Sequence, residues 1–239
     1  MIRHALRYLK QRFRLVKVPQ RPVLDAVDFG RAECVVLDVG ANRGGFAGNV
    51  LLRAPLATVH CFEPNAGLAP HLRSAARRFG VGKRSPRCFV VQAAAGEFRQ
   101  RAELIVTGLS AASSLMEVSN EARAGWPEVD FEERQRDTID VIRLDDYLDA
   151  NDIGSVKLLK LDVQGFELIA LRGCARRLRD IEYIICEIQF VPLYEGAPLW
   201  HEIVLFLAGF EFLPVLMDGF CFSPEGRPLQ ADLLLRRAL

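Results

Sequence analysis

The stretch LDVGANRGGF, residues 37–46, decides the fold, because a mainly apolar run ends there and a loop with three glycines begins. Residues 34–39 are apolar enough to form a short strand buried on both faces, as the strands of parallel sheets are. Glycines let the backbone approach a ligand closely, and a helix that starts after the loop offers free N–H groups. We therefore expect a ligand-binding turn between a parallel strand and a helix.

Apolar runs and helical segments alternate along the rest of the chain. We expect strands at residues 34–39, 58–62, 88–92, 101–107, 139–143, 156–161, 181–186, 210–216 and 233–236. We expect helices at residues 45–52, 66–79, 144–151, 167–178 and 200–208, and a loop or lid over the polar residues 108–137. Strand–helix–strand repeats imply right-handed crossovers and a parallel sheet. The sequence therefore predicts an α/β fold with a doubly wound, mostly parallel seven-stranded sheet.

The amino-terminal residues differ in charge from the rest of the chain. Residues 1–22 carry seven Lys or Arg and no acidic residue, so subtracting them from the net charge of +1 leaves −6 for residues 23–239. Apolar residues recur in this segment at helical spacing: Ile2, Leu6, Leu9, Phe13 and Val16. We expect an amphipathic basic helix that ends at Pro19 and Pro22. It either packs on the domain with solvated charges or meets anionic lipid or an anionic substrate.

Length and composition indicate one domain behind this helix. A chain of 239 residues, 50% of them hydrophobic, can bury a full core, so we expect a helical extension at 1–30 and one domain at 31–239. Basic side chains interrupt the apolar stretches near the start, which argues against a signal peptide, and no apolar run is long enough to span a membrane. The six cysteines form no CxxC pair, so we expect reduced thiols in a cytoplasmic protein.

Acidic residues at the ends of two predicted strands indicate the ligand. Dinucleotide-binding folds have G-x-G-x-x-G after the first strand, whereas here Asp38 precedes Gly40, and its charge would repel a pyrophosphate. A carboxylate suits an ammonium group, and S-adenosylmethionine has an ammonium, a sulfonium and no phosphate. Glu63, 25 residues after Asp38, is placed to accept both hydrogens of a ribose diol, the alternative being a surface acid at a strand end.

A third acidic position lies in KLLKLDVQGFE, residues 157–167. Asp162 comes at the carboxyl end of the predicted strand, at the rim where open α/β sheets bind ligands. Lys160 and Glu167 flank it, and close carboxylates and amines alter one another's pKa, as a general acid or base requires. Glu167 is equally well explained as a first-turn acid that faces the helix dipole.

Seven stretches follow one another from about Cys34 to Phe212: VLDVGANRGGF, HCFEPN, VVQAAAGE, AASSL, VIRLDDYL, LLKLDVQGFELIALRGC and IICEIQFVPLYEG. In this order they resemble the FkbM family of S-adenosylmethionine-dependent methyltransferases. One departure is Gln164, where relatives often carry Glu, which removes a negative charge beside Asp162. The resemblance implies a class I methyltransferase fold, which is Rossmann-like.

The resemblance also implies an activity and a set of binding residues. Family members are known mostly as O-methyltransferases of sugar hydroxyls or natural-product scaffolds, so we expect a small-molecule or glycan acceptor. Trp126, Phe131 and Tyr194 are candidates for the wall of an acceptor pocket, although such residues also serve packing. The implied cofactor contacts are Asp38, Gly40, Asn42, Gly44 and Phe46 in the loop, Glu63 and Pro64 at the ribose, Gln92 and Ala93 near the adenine, and Asp162 at the methionine end or the acceptor.

Methyl transfer to an alcohol requires a group that takes up the hydroxyl proton. The candidates are Asp162, Lys160 and Glu187. Asp162 and Glu187 end adjacent predicted strands, so both carboxylates can point at one rim. Such a pair could also bind a divalent cation such as Mg²⁺, although two carboxylates are a small ligand set.

Three other functions compete with this interpretation. A nicotinamide-dependent oxidoreductase would have the dinucleotide glycine pattern, against which Asp38 argues. A non-catalytic binding module would have kept the fold and lost the chemistry. A nucleic-acid methyltransferase is disfavoured by the −6 charge of residues 23–239, although the basic helix keeps it open. A homodimer is expected only because soluble enzymes commonly form one.

Overall fold

A computed structural model of the protein describes residues 21–80 and 87–238. The predicted amphipathic helix of residues 1–20, with its proposed lipid or anionic partners, lies outside the described residues. Residues just behind it join the domain core, because Val23, Leu24, Val27 and Phe29 are buried in the same cluster as the first strand. The division at residue 30 stays a prediction. Among the described helices, none has the length and apolar character needed to cross a membrane.

Ten strands and seven α-helices make up the described chain. The strands are β1 (Cys34–Val39), β2 (Ala57–Phe62), β3 (Cys88–Val91), β4 (Ala94–Ala95), β5 (Gln100–Thr107), β6 (Glu133–Ile142), β7 (Val156–Leu161), β8 (Ile181–Gln189), β9 (Phe212–Phe222) and β10 (Pro228–Arg237). The helices are α1 (Pro22–Asp25), α2 (Gly45–Arg53), α3 (Ala69–Gly80), α4 (Asn120–Gly125), α5 (Leu144–Ala150), α6 (Glu167–Arg172) and α7 (Trp200–Ala208). Single 3₁₀ turns lie at Ser110–Ala112 and Leu178–Asp180.

Seven strands form the main sheet in the order β3-β2-β1-β7-β8-β10-β9. The first five are parallel to their neighbours, and β10 is antiparallel to both β8 and β9. The predicted doubly wound, mostly parallel sheet is confirmed. Because β1 lies between β2 and β7, the chain leaves the sheet in opposite directions at this point, which opens a crevice at the carboxyl ends of the strands.

Each face of the sheet carries a layer of helices. Successive strand residues point to opposite faces, so Val36 and Leu158 pack under α1, α2 and α3, whereas Leu37 and Leu159 pack under α5, α6 and α7. All four side chains are fully buried. This burial on both faces explains why the sequence of these strands is almost uninterruptedly apolar.

Residues 108–137 contain more secondary structure than the sequence indicates. The structure places the 3₁₀ turn, α4 and the start of β6 in this segment, so the prediction of a loop is wrong in part and β6 begins well before residue 139. β6 pairs with β4 and β5 in a separate three-stranded sheet. Its first residues are exposed and polar and lack the apolar alternation that marks a strand, so periodicity missed them.

Several other boundaries differ from prediction, two of them by six residues. The helix expected over residues 167–178 ends at Arg172, where Gly173 packs directly on the backbone of Gly96. The strand expected over 210–216 extends to Phe222, because it pairs with β10 along most of its length. The six cysteines are all free, as the sequence predicts.

Gly173 and Gly154 offer a matched test of this close packing. A Cβ atom at Gly173 would lie 1.9 Å from the Gly96 carbonyl oxygen, whereas a Cβ atom at Gly154 meets nothing within 4 Å. We expect Gly173→Ala to lower the free energy of unfolding by about 1–3 kcal/mol, the usual cost of overpacking. Gly154→Ala should leave it unchanged or slightly higher. Urea unfolding followed by circular dichroism measures both, and equal midpoints would contradict the packing described.

Candidate active site

A cavity of about 300 Å³ opens at the carboxyl ends of β1, β2 and β7. Its floor comes from the loops after these strands, and its cover comes from residues 109–115 and the segment that includes Trp126 and Phe131. Apolar side chains predominate on the cover, and carboxyl and amide groups lie on the floor. Most small-molecule sites have this composition. The predicted loop, ribose and strand-end residues that line it are Gly40, Asn42, Glu63, Pro64, Ala93, Asp162 and Glu187.

The turn after β1 lies directly against the end of β7. Gly40 has a φ of +79°, and a Cβ atom there would lie 1.8 Å from the carbonyl oxygen of Asp162. No other residue type fits this position, because both the backbone angle and the contact exclude a side chain. The turn thus brings the backbone of Gly40 next to Asp162, the first catalytic candidate.

Glu63 at the end of β2 fixes the shape of this turn. Its carboxylate accepts hydrogen bonds from the backbone N–H groups of Asn42 (2.7 Å) and Asn65 (2.9 Å), one on each oxygen. Burial raises the pKa of the Glu63 carboxyl above its ordinary value despite these two donors. Each oxygen keeps a second lone pair, so the carboxylate can accept two further hydrogens from a ligand in the cavity.

Lys160 lies beneath the turn and outside the cavity. Its Nζ donates to the carbonyl oxygen of Gly40 (2.9 Å) and lies 3.5 Å from Asp38 Oδ1 and 3.2 Å from Asp162 Oδ2. Burial alone would lower the pKa of Lys160, but the charges of Asp162 and Asp38 outweigh it and raise the pKa above its ordinary value. A permanently charged amine cannot take up a proton, so this geometry argues against Lys160 as the base.

Asp38 is fully buried and lines neither the cavity nor its mouth. Desolvation raises the pKa of its carboxyl above the ordinary value, although Lys160 acts in the opposite direction. Neither carboxylate oxygen accepts a hydrogen bond from the described residues. Asp38 therefore lies under the turn, with the Lys160 ammonium group beside it.

A second cavity of about 270 Å³ lies on the other side of the turn. It shares Gly40, Asn42 and Asp162 with the first cavity and includes the predicted loop residue Phe46. Charged groups of both signs line it: Arg21, Arg43, Lys160, Asp162 and Asp232. Asp232 on β10 has a pKa raised to about 6, mainly because it is buried.

Asp162 and Glu187 lie together on the floor of the first cavity. Nε2 of Gln164 donates to both, at 2.6 Å from Asp162 Oδ1 and 2.9 Å from Glu187 Oε2. Gln230 on β10 donates to the other oxygen of Glu187 at 2.7 Å. Burial, followed by the charge of Asp162, raises the pKa of Glu187 well above its ordinary value. The prediction that these two carboxylates lie together agrees with this geometry, but Glu187 does not end its strand, because β8 continues to Gln189.

The predicted metal site does not fit these side chains. Within residues 21–80 and 87–238, no group of three or more His, Cys, Asp or Glu side chains could hold a metal ion. The space between Asp162 and Glu187 is taken by the amide nitrogen of Gln164, which donates hydrogens and has no free lone pair for an ion.

Glu167 supports the turn that carries Gln164. Its carboxylate accepts hydrogen bonds from the backbone N–H groups of Val163 (2.9 Å) and Gly165 (3.1 Å). It lies outside both cavities, and burial raises its pKa to about 7. Glu167 is therefore a first-turn acid that also closes the loop after β7.

Several predicted residues lie outside the cavity, and others were missed. Gly44 and Gln92 do not line it, since Gly44 packs against Leu72 of α3 and Gln92 is exposed. Tyr194 is buried behind the floor, where its hydroxyl donates to Gln164. Sequence reasoning noted Gln164 only as a departure and assigned no role to Gln230. Gln164 stands inside the stretch LLKLDVQGFELIALRGC, where its departure from Glu was the available signal, whereas Gln230 lies outside all the quoted stretches.

Comparison with known proteins identifies this arrangement. The family model described as "Methyltransferase FkbM domain" matches residues 38–213, which include the turn after β1, Asp162 and Glu187. This chain belongs to the FkbM methyltransferase family. Its activity is therefore methyl transfer.

Two similar proteins place this methyltransferase among its relatives. It is 27% identical over 209 residues to the 2-O-methyltransferase NoeI of Sinorhizobium fredii, a match that covers 84% of this chain and 79% of that protein. The crystal structure of methyltransferase FkbM from Methylobacillus flagellatus is 18% identical, with a TM-score of 0.58 over 90% of this chain. That likeness shows a shared fold, and this chain spans 48% of that protein's length.

The raised pKa of Glu167 predicts how the stability of the methyltransferase depends on pH. The folded protein holds this proton up to about pH 7, whereas the ordinary pKa is 4.5. Folding therefore favours the protonated acid, and stability falls as the pH rises from about 4.5 to 7. The free energy of unfolding of the wild type should fall between pH 5 and 7.5. In Glu167→Gln, which has no titrating group at this position, we expect this fall to be smaller by about 1–3 kcal/mol.

Urea unfolding at a series of pH values measures this difference. Glu121→Gln is the matched control, because Glu121 is an exposed acid in the first turn of α4. It should follow the wild-type pH dependence. A Glu167→Gln profile parallel to that of the wild type would show that Glu167 does not titrate in this range.

Proposed function

We propose that this methyltransferase uses S-adenosylmethionine to methylate a hydroxyl group of a small-molecule or glycan acceptor. The observation that carries the proposal is the composition of one cavity. Glu63 and the open turn at Gly40 lie at one part of its floor, and the carboxylates of Asp162 and Glu187 lie at another. The same cavity can therefore bind a nucleoside at one part of its floor and has proton-accepting carboxylates at another.

The residues present fit S-adenosylmethionine. The free lone pairs of Glu63 suit a ribose diol, and the lack of a side chain at Gly40 lets the turn beside Glu63 pack against Asp162. The second cavity supplies Arg21 and Arg43 for an α-carboxylate and Asp232 for an α-ammonium group. Buried Asp38 adds a negative charge under the turn, which favours a cationic ligand over a phosphate.

The carboxylate pair supplies the proton chemistry. Bound S-adenosylmethionine would provide a methyl group activated by its sulfonium. Asp162 and Glu187 both accept hydrogen bonds from one amide nitrogen, so the two carboxyl groups lie together, where one of them can take up the proton of an acceptor hydroxyl. Burial and the charge of Asp162 raise the pKa of Glu187, which increases its tendency to take up a proton. Closure of the cavity by its apolar cover keeps water from competing for the methyl group.

The acceptor class is inferred from the cover and from similarity. Trp126, Val129 and Phe131 present apolar surface opposite the carboxylates. A sugar or a polyketide-like ring with one apolar face and a hydroxyl edge matches such a cavity. The likeness to a 2-O-methyltransferase supports oxygen as the atom that is methylated.

Cofactor binding tests the first part of the proposal. We expect calorimetry to show saturable binding of S-adenosylmethionine and S-adenosylhomocysteine to the purified wild type. Glu63→Ala should weaken both by about 10- to 100-fold, the loss expected for hydrogen bonds to a charged group. Glu33→Ala is the control, since Glu33 is exposed and precedes β1 at the opposite edge of the sheet. Absence of wild-type binding, with NADH bound instead, would overturn the proposal.

Acceptor turnover tests the second part. With glycosides and hydroxylated aromatic compounds as trial acceptors, we expect transfer of a radiolabelled methyl group to at least one hydroxyl compound. Glu187→Gln should then lower kcat by about 10²- to 10⁴-fold, the usual contribution of a general base. Affinity for S-adenosylhomocysteine should change by less than about threefold, because Glu63 and the turn remain in place. An unchanged kcat would remove Glu187 from the proton-transfer role.

A further inference from the structure

Gln164 forms hydrogen bonds with four residues around the first cavity: Ser114, Asp162, Glu187 and Tyr194. Its backbone φ is +57°, a left-handed conformation that costs a non-glycine residue about 1 kcal/mol or more. Its carbonyl oxygen accepts a hydrogen bond from the Ser114 hydroxyl at 2.6 Å. The cover of the cavity therefore holds the backbone of Gln164 in this conformation.

The side chain of Gln164 is fixed at both of its polar atoms. Oε1 accepts a hydrogen bond from the Tyr194 hydroxyl at 2.6 Å, and Nε2 donates to Asp162 and Glu187. Rotating the amide by 180° would place Oε1 against the two carboxylates, which are acceptors when ionised. Tyr194 is buried, and its hydroxyl stays protonated because burial and nearby Glu187 raise its pKa well above the ordinary value. One orientation of the amide is thus selected.

The two hydrogens of Nε2 occupy the space where two carboxylates would otherwise repel each other. Lys160 lies near Asp162, but the hydrogen bonds to Glu187 come from the neutral amides of Gln164 and Gln230. Asp162 and Glu187 come from different strands, β7 and β8, and no ion pair among the described residues joins them. Gln164 is the group that connects the two.

We propose that Gln164 is a positioning residue that holds Asp162 and Glu187 together as one metal-independent proton acceptor. The proposal rests on the proposed function, because the pair must face an acceptor hydroxyl. Tyr194 and Ser114 act through Gln164, the first by orienting its amide and the second by holding its backbone. The nitrogen bridges the carboxylates as a divalent cation would, but it contributes no Lewis acidity.

A change of one atom in this side chain tests the bridge. Gln164→Glu keeps the shape and replaces the donor nitrogen with an anionic oxygen, so that three carboxylates converge on one space. Three oxygen ligands suit a hard divalent cation much better than two do. We expect the full-length Gln164→Glu variant to bind Mn²⁺ at least about tenfold more tightly than the wild type in a titration followed by electron paramagnetic resonance.

This titration has a clear contrary result. Wild-type protein that binds Mn²⁺ as tightly as the variant would show that Oε1, not Nε2, faces the carboxylates, and would overturn the bridge. The measurement needs neither cofactor nor acceptor. Its failure is therefore distinct from a failure of S-adenosylmethionine binding, which would overturn the proposed function instead.

Removal of one hydroxyl tests the positioning role. Tyr194→Phe keeps the buried ring and removes the hydrogen bond to Oε1 of Gln164. The side-chain ¹⁵N–¹H₂ resonances of Gln164 should therefore shift. In the same variant kcat should fall by about tenfold, and the KM for the cofactor should stay unchanged. Tyr147→Phe is the matched control, because it removes the same hydroxyl from a hydrogen bond to His60 (2.8 Å). It should leave both readouts at their wild-type values. Equal effects of the two variants would show that Tyr194 is only a packing residue and would overturn the proposal.

Discussion

The turn after β1 and the end of β7 approach so closely that no side chain fits between them, and the whole site depends on this contact. The contact joins Gly40 to the carbonyl of Asp162. Lys160 reinforces it from below, because its ammonium group binds the Gly40 carbonyl and lies beside Asp162 and Asp38. The loop that would hold a cofactor and the strand end that carries a catalytic candidate are therefore one rigid unit.

Buried acidic side chains accumulate around this contact, and ionising them there costs free energy. Burial raises the pKa of Asp38, Glu63, Glu167 and Glu187, which means that each would ionise more readily in water. Proteins retain such groups where function needs them. Lys160 offsets part of this charge, and a ligand with a sulfonium and an ammonium group would offset more of it. A cationic ligand would therefore lower the cost of ionising these acidic groups.

The sequence was informative wherever one local pattern determines one local structure. β1 and β7 have the predicted bounds, since burial on both faces requires an uninterrupted apolar run. The positions of Asp38, Glu63 and Asp162 at strand ends followed from the same runs. Hydrophobic periodicity did not reveal the polar strand residues that pair outside the core, such as the start of β6. An exposed antiparallel pair needs no alternation of apolar residues.

The sequence alone predicted the fold, the family resemblance and the identity of the carboxylates in the site. Each of these depends on short stretches of neighbouring residues. Only the tertiary structure decided how those carboxylates are used. The link between Asp162 and Glu187 through Gln164, and its orientation by Tyr194, join segments that are 23 and 30 residues apart along the chain. Hydrogen bonds of this kind depend on distances between strands and loops, and no spacing within a sequence encodes such distances.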